Sequence, residues 1–404
     1  MTIALSLQNK KKNVLDRMPP TFREQYFNLF GAPEPETIHP TLYQKLIDNG
    51  TDLILKQLKK YNEQRKELAK TVRNQIQITQ LEQDESLASV RMVVSDAGNN
   101  GVDFRSAFAP LYASTAIVTE GRKIVDEPIC KVGESALWAD EFRAQSRESL
   151  LAAKVQFEIT TEAIAKWNPK YAVMDGTLLL NYGLLPFSNS SDNYRKDFDS
   201  ALTSTINTLF TCYRTGTPIV GFVKRTQRTS LCESLGMNEV RDTALLDLIL
   251  RRGQCTVPEP TPMRGLVIDL FKKKAEEMFI PAQDVAKITN FYSAYIRTGL
   301  ATPFRLELPE FCLNKLNELG TILYTTSEED GLPFGIYEVD HLTRITSNLS
   351  NIRTLMLYSK ALDLVENGEM DAEDLNLLTL QHGEQWTIRD DKGYASTVLS
   401  KGEA

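Results

Sequence analysis

The chain has 404 residues, 42% of them hydrophobic and 25% charged, and its net charge is −7. This composition is typical of a globular protein and excludes a wholly disordered one, while the acidic balance excludes binding to nucleic acid by bulk positive charge. Five scattered cysteines without a CxxC pair predict reduced thiols rather than a disulfide framework or a thiolate zinc site. No apolar run reaches the roughly 18–20 residues of a membrane-spanning helix, and no signal peptide is predicted, so we expect a cytoplasmic protein without membrane contact.

Residues 1–86 are predicted to form an N-terminal arm and a long helix that contact a second subunit or a partner. Five prolines between Pro19 and Pro40 exclude one long helix from the arm. From Leu42 to about Ser86 the chain lacks proline and places apolar side chains at steps of three and four, which predicts an amphipathic helix. This pattern lasts barely three heptads, so it favours a helix packed on its own domain or on a twin subunit over a coiled-coil rod.

Residues 87–368 are predicted to form one mixed α/β domain, followed by a C-terminal tail at 369–404. Short apolar runs separated by turn-forming residues predict strands, and longer runs with helical periodicity predict helices. In chain order the expected elements are three strands at 89–97, 112–120 and 122–130, a helix at 141–167, a strand near 171–175, a helix at 197–212, a strand at 217–223, a helix at 240–252, strands near 264–270, 291–297 and 304–308, and a last long helix at 340–365.

Two of these strands end alike, at Asp96 in "VVSDAG" and at Asp175 in "AVMDGT". An acid at the end of a buried strand and before a glycine turn is where α/β sheets display functional groups. For either acid alone, solvation of a strand end or capping of the next turn is the competing interpretation. Glu148 lies near the start of the helix between the two strands, and three converging carboxylates would indicate a site for Mg²⁺ or Mn²⁺.

Further candidates are a histidine and three cations. His341 lies just inside the last predicted helix, where it could complete a carboxylate site with Asp340 orienting it or capping the helix; a structural or surface role is the alternative. The stretch "GFVKRTQRTS" brings Lys224, Arg225 and Arg228 to one strand end, where they could neutralise a phosphate or form a solvated basic turn.

Seven stretches, taken in order over roughly residues 88–365, together resemble the NurA nucleases. They are "VVSDAGNNGVDF", the helix from Arg147, "YAVMDGTLLL", "IVGFVKRTQRTSL", "VRDTALLDLIL", the tyrosine-containing strand with "TPFRLELP", and "GLPFGIYEVDHLTRI". The resemblance implies an RNase H-like fold, in which helices flank a mixed β-sheet core.

The resemblance also implies a manganese (or magnesium) centre with two ions. Carried over to this chain, its ligands are Asp96, Glu148, Asp175 and His341, with Lys224 as the matching strand-end lysine. Glu158 is the alternative to Glu148 as the helix ligand. Many members of the family have Asp-Gly-Ser at the first motif, whereas this chain has Asp-Ala-Gly, so the turn after the first acid departs from the family pattern.

The function implied by the resemblance is that of a metal-dependent DNA nuclease in double-strand-break end resection, with 5′–3′ exonuclease and single-strand endonuclease activity. The implied assembly is a homodimer that works with a hexameric HerA-type ATPase. The chain lacks a GxxxxGK[ST] loop, so it could not power DNA translocation alone. The alternatives are an actin-like or sugar-kinase-like ATPase, whose phosphate turns "DAGNNG" and "DGT" superficially match, and an inactive interaction scaffold.

Overall fold

The computed structural model of the chain describes residues 41, 45, 50–139, 143–236, 240–261, 265–300 and 302–378. The predicted N-terminal arm and most of the predicted C-terminal tail lie outside these ranges. The chain divides into two compact units, Met1–Lys70 and Thr71–Ala404. None of the helices in the described ranges is both long enough and apolar enough to cross a membrane.

The first unit, where it is described, consists mainly of helix α1, Gly50–Val72, whose last two residues belong to the second unit. Several large apolar side chains of α1 are exposed, among them Ile54 and Leu58. The predicted helix was expected to continue to about Ser86, but α1 ends at Val72 and residues Ile78–Gln80 form strand β1. The alternation of apolar and polar residues from Ile76 onward is a strand pattern, and it outweighs the helical composition of this segment.

A 10-stranded mixed sheet forms the centre of the second unit. Besides β1 its strands are β2 Arg91–Asn99, β5 Tyr112–Glu120, β6 Ile129–Val132, β7 Tyr171–Asp175, β8 Ile219–Val223, β9 Gln254–Thr256, β10 Glu259–Pro260, β11 Phe291–Arg297 and β12 Phe304–Pro309. Strands β3 Val102–Asp103 and β4 Phe108–Ala109 pair separately with each other. The order across the sheet is β1-β9-β11-β12-β8-β7-β2-β5-β6, and β10 pairs with β11.

Helices flank this sheet and connect its strands. They are α2 Glu85–Ala88, α3 Ala144–Trp167, α4 Asp192–Thr215, α5 Ser230–Ser234, α6 Asp242–Ile249, α7 Gly265–Glu277, α8 Ala282–Thr289, α9 Leu316–Thr325, α10 Phe334–Thr343 and α11 Ser347–Glu366. Short 3₁₀ helices cover Tyr182–Leu184, Glu310–Lys315 and Ala372–Leu378. All five cysteines are free thiols; four are buried, whereas Cys130 is exposed.

Five strands have the RNase H-like arrangement. β5 runs antiparallel between β2 and β6, and β2, β7 and β8 run parallel to one another. The predicted fold class is thereby confirmed. Because parallel strands finish at the same edge of a sheet, the carboxyl ends of β2, β7 and β8 lie together.

The two faces of β2 are covered by different helices. Val93 packs in a cluster with Ile159 and Ala163 of α3. Val94 points to the other face, where a Cβ atom placed on Gly335 of α10 would lie 2.6 Å from Val94 Cγ2. Helix α10 therefore approaches β2 at a distance that only glycine allows, and this contact places the rest of α10 against the sheet.

Three further predicted elements differ from the structure. The strand expected at 122–130 is mostly irregular, and only its last two residues, Ile129 and Cys130, lie in β6. The segment near 264–270 was expected to be a strand, but it begins helix α7, where Val267, Phe271 and Ala275 are buried at a spacing of four residues. The last long helix, expected from Asp340 to Val365, is two helices. Thr346 separates them because its hydroxyl accepts a hydrogen bond from the N–H of Leu349 and so caps the start of α11.

Candidate active site

Three aspartates meet at the edge where β2 and β7 end. Asp96 lies on β2, Asp175 is the last residue of β7, and Asp340 lies on α10. Each offers one carboxylate oxygen, and these oxygens all lie within 4.8 Å of one another. We call these three residues the aspartate cluster.

The strands and helix α3 hold the cluster in place. β2 and β7 pair in parallel, with Ser95 opposite Met174, so the acids that follow these two residues are neighbours. The buried side chain of Gln156 on α3 donates hydrogen bonds from Nε2 to the carbonyl oxygens of Ser95, at 3.0 Å, and Asp175, at 2.9 Å. Gln156 thus ties the two strand ends to each other and to α3.

Lys224, the residue after β8, supplies a positive charge to the cluster. Its ammonium lies 2.6 Å from Asp175 Oδ2 and also contacts the carboxylate of Asp340. Burial alone would lower the pKa of Lys224, but the two carboxylates outweigh it and raise this pKa above its ordinary value. One ammonium therefore partly neutralises three carboxyl groups.

Burial raises the pKa values of two members of the cluster. The pKa of Asp96 rises to about 8, because the carboxyl group is largely shielded from water and lies near Asp175, with Lys224 opposing this rise. The pKa of Asp175 rises to about 6, chiefly through burial, again against the effect of Lys224. The protein therefore disfavours the fully ionised cluster, and a further cation would favour it.

The donor set fits a hard divalent cation. The cluster offers only carboxylate oxygens, which Mg²⁺ and Mn²⁺ prefer, and it carries more negative charge than Lys224 neutralises. Asp96, Asp175 and Asp340 are the residues that would hold such an ion.

The predicted helix ligand Glu148 lies outside the aspartate cluster. It is buried, and its oxygens accept hydrogen bonds from Asn99 Nδ2, at 2.9 Å, and from the N–H of Leu111, at 2.7 Å. A Cβ atom on Gly101 would lie 2.4 Å from Glu148 Oε1, so the loop after β2 approaches this carboxylate closely. In this structure Glu148 joins that loop to the start of β5.

The alternative residue, Glu158, also lies outside the cluster. It forms an ion pair of 2.5 Å with Lys131 on β6 and accepts a hydrogen bond of 3.3 Å from Ser204 on α4. These contacts direct Glu158 toward the outer strand β6 and helix α4.

His341 is exposed, and its ring lies 4.5 Å from that of Tyr337, one helical turn earlier. Neighbouring residues of a helix point about 100° apart, so Asp340 and His341 face different directions. Asp340 was expected only to orient the histidine or to cap the helix, and it instead supplies the third carboxylate of the cluster.

Sequence analysis missed the roles of Gln156 and Asp340. Gln156 lies in "LLAAKVQFEI" of α3 beside the polar residues Lys154 and Glu158, so the sequence does not single it out. Asp340 has no local signal either, since its place depends on how α10 crosses β2.

A family model and several solved structures match this chain. A family model described as the NurA domain matches residues 59–345. The crystal structure of the NurA nuclease from Sulfolobus solfataricus is 13% identical, with a TM-score of 0.60 over 83% of this chain and 99% of that chain. Another crystal structure of NurA is 8% identical, with a TM-score of 0.50 over 81% of this chain and 99% of that chain. A search of curated proteins finds no match.

Proposed function

The chain belongs to the NurA family, and we propose that it is a metal-dependent deoxyribonuclease whose active site is the aspartate cluster with Lys224. The observation that carries this proposal is the meeting of three carboxylate oxygens within 4.8 Å at the edge of an RNase H-like sheet. Asp96 and Asp175 are largely shielded from water, where neighbouring carboxylates are costly even beside Lys224, so a structural role alone would not explain them.

Each residue has a defined task in phosphodiester hydrolysis. Asp96, Asp175 and Asp340 would hold the divalent ion, for which we propose Mn²⁺ or Mg²⁺ with two ions at full occupancy. A bound ion would lower the pKa of a water molecule and neutralise charge on the phosphate. Lys224 already lies among the carboxylates, so its ammonium is available to the developing negative charge of the substrate.

The finer features of the proposal follow the family. We propose 5′–3′ exonuclease and single-strand endonuclease activity on cellular DNA, in the cytoplasm, during end resection. We also propose that the protein forms a homodimer and that its partner is a HerA-type hexameric ATPase. The exposed apolar side chains of α11 support a protein interface on this chain, among them Leu355 and Met356.

The test is cleavage of labelled single-stranded and double-stranded DNA with Mn²⁺ or Mg²⁺, with and without a HerA-type ATPase. Asp96→Asn, Asp175→Asn and Asp340→Asn should each reduce cleavage at least 100-fold. The exposed acid Asp269 lies outside the cluster, and Asp269→Asn is the matched control. Wild-type activity in all three cluster variants would refute the site, and inactivity of every protein would favour an interaction scaffold.

The same assay decides the roles of the other two predicted ligands. If Glu148 acts only by holding the loop after β2, Glu148→Gln should retain substantial cleavage. The glutamine oxygen can still accept from the N–H of Leu111, and its amide nitrogen can donate to the Asn99 side chain once that amide has flipped. A loss as large as that of Asp340→Asn would make Glu148 a ligand. His341→Gln is compared in the same way, and in both cases Mn²⁺ titration by calorimetry reads the number of bound ions.

A further inference from the structure

Beside the aspartate cluster lies an open cavity of about 810 Å³. One wall is the segment after β8, including Arg225 and Arg228, and another is the start of β12, with Arg305 and Glu307. Thr177, two residues after Asp175, also lines the cavity. Arg225 directly follows Lys224, which contacts the aspartate cluster, so the cavity lies next to the proposed catalytic site. We call it the arginine cavity.

Arg305 has unused hydrogen-bonding capacity at this cavity. Arg305 is only 3% exposed, yet its Nε and Nη1 groups have no hydrogen-bond acceptor among the described residues. Nη2 lies 2.8 Å from Glu307 Oε1. Nη1 of Arg228 is also buried without an acceptor in the described part of the chain. Unsatisfied buried guanidinium groups are costly, so they indicate that an acceptor binds there.

The lining of the arginine cavity contains three arginines and two carboxylates, Glu307 and Glu233. Arg305 and Arg228 share Glu307 Oε1, which lies 3.7 Å from Arg228 Nη2. The other oxygen of Glu307 accepts a hydrogen bond from the N–H of Leu178 at 3.0 Å. Burial and the neighbouring Arg305 lower the pKa of Arg228 below its ordinary value, as expected for two crowded cations.

The remaining nearby acids accept hydrogen bonds from other donors, although the charge of Asp242 still acts on Arg228. Asp242 is buried and accepts hydrogen bonds from the hydroxyl of Tyr295, at 2.5 Å, and from the N–H of Cys232, at 2.9 Å. Glu233 lines the cavity and accepts a hydrogen bond from Thr229 Oγ1 at 2.5 Å. Neither acid accepts a hydrogen bond from the unpaired N–H groups of Arg305 and Arg228, so these groups remain available to a further acceptor.

We propose that the arginine cavity binds a phosphate group of the nucleic acid strand, next to the phosphodiester bond that is cut. The free N–H groups of Arg305 and Arg228 would donate to it, with Arg225 at the rim, and guanidinium forks suit the oxygens of a phosphate. The proposal rests on the nuclease function for its choice of ligand. The phosphate is either the 5′-terminal group of the strand or an internal one, and the two cases give different results below.

The test measures binding of a short single-stranded oligonucleotide, with a 5′ phosphate or a 5′ hydroxyl, by fluorescence anisotropy in EDTA. Arg228→Gln and Arg305→Lys should weaken binding about 10-fold, since each removes unpaired N–H donors. Arg305→Lys keeps the positive charge beside Glu307, and thermal melting shows whether this variant folds. If it does not fold, the binding affinity of Arg228→Gln decides the test, because Arg228 is partly exposed and its substitution disturbs the core less. The exposed Arg251, outside the cavity lining, provides the control Arg251→Gln.

A terminal phosphate predicts that the wild type prefers the 5′-phosphorylated oligonucleotide and that both variants lose this preference. An internal phosphate predicts an equal loss for both oligonucleotides. In either case inorganic phosphate should compete more weakly in the variants than in the wild type. Wild-type affinity in both variants would overturn the proposal, even if Mn²⁺-dependent cleavage is observed. Conversely, weakened binding without any cleavage by the wild type would overturn the nuclease function and leave the cavity as a phosphate site.

Discussion

Asp96 shows how a proposed metal ligand can oppose the stability of the folded state. Its pKa is raised to about 8 by burial and by Asp175, so the folded protein binds a proton that the unfolded chain releases near pH 4. Between these two pH values the folded state holds more protons, and the stability contributed by this group falls as pH rises. The aspartate cluster therefore lowers the stability of the metal-free protein, as expected if these residues are there for the proposed cation.

Because the stability of the folded state should fall as pH rises, we can predict the effect of Asp96→Asn in the metal-free protein. The variant should be more stable than the wild type at pH 8, by about 4–5 kcal/mol, because each unit of the raised pKa is worth about 1.4 kcal/mol. The difference should shrink toward pH 4. Thermal melting in EDTA across this pH range measures it. Addition of Mn²⁺ should raise the melting temperature of the wild type much more than that of the variant, whereas Asp269→Asn should behave as the wild type does. A variant less stable at pH 8 than the wild type would contradict the electrostatic account.

Lys224 allows a second prediction at the same scale. Its ammonium contacts Asp175 and Asp340, so it repels a divalent ion that binds the same carboxylates. Lys224→Gln should bind Mn²⁺ about 3- to 10-fold more tightly while cleaving DNA about 100-fold more slowly. Calorimetric titration and single-turnover cleavage separate the two effects. Parallel loss of both metal binding and cleavage would show instead that Lys224 holds the site together.

At the scale of elements, the close approach of α10 to β2 brings Asp340 to the two strand ends. Gly335 lies against Val94, five residues before Asp340 on the same helix. Gly335→Ala should destabilise the protein by about 1–3 kcal/mol through overpacking and should weaken Mn²⁺ binding by moving α10. Val94→Ala removes the methyl groups that oppose Gly335. In the double variant, Gly335→Ala should therefore weaken Mn²⁺ binding less than it does alone. Additive losses in this cycle would show that the two residues do not interact.

The elements near the site also show what sequence could predict. Asp96 and Asp175 could be predicted to meet at one edge of the sheet because a strand followed by an acid and a turn is a local pattern. The helix residue could not be identified in the same way, since the rotation of α3 on the sheet is set by packing, and it directs Gln156 rather than Glu148 toward the strand ends. Likewise the strand expected near 264–270 is helix α7, because a short apolar run suits either element until its burial is known.

At the scale of the whole molecule, helix α11 presents an apolar surface that the described part of the second unit leaves uncovered. One side of α11 is attached through Ser350, which donates to the carbonyl of Asn100, and Arg353, which donates to that of Pro110. Elsewhere on α11 Leu355 is 69% exposed and Met356 is 58% exposed. Exposed apolar surface of this kind is typical of protein interfaces, which agrees with the proposed homodimer.

The dimer prediction follows from this surface. Leu355→Glu combined with Met356→Glu should convert the protein from a dimer to a monomer, because a dimer interface would have to bury two carboxylates. Light scattering coupled to size exclusion measures the mass, which is 45.6 kDa for one chain. Neither residue belongs to the aspartate cluster, so metal-ion binding should persist in the monomer, and its retention separates loss of assembly from loss of folding. An unchanged dimer would move the interface away from α11, and exposed apolar residues of α1 such as Leu58 would be the next to substitute.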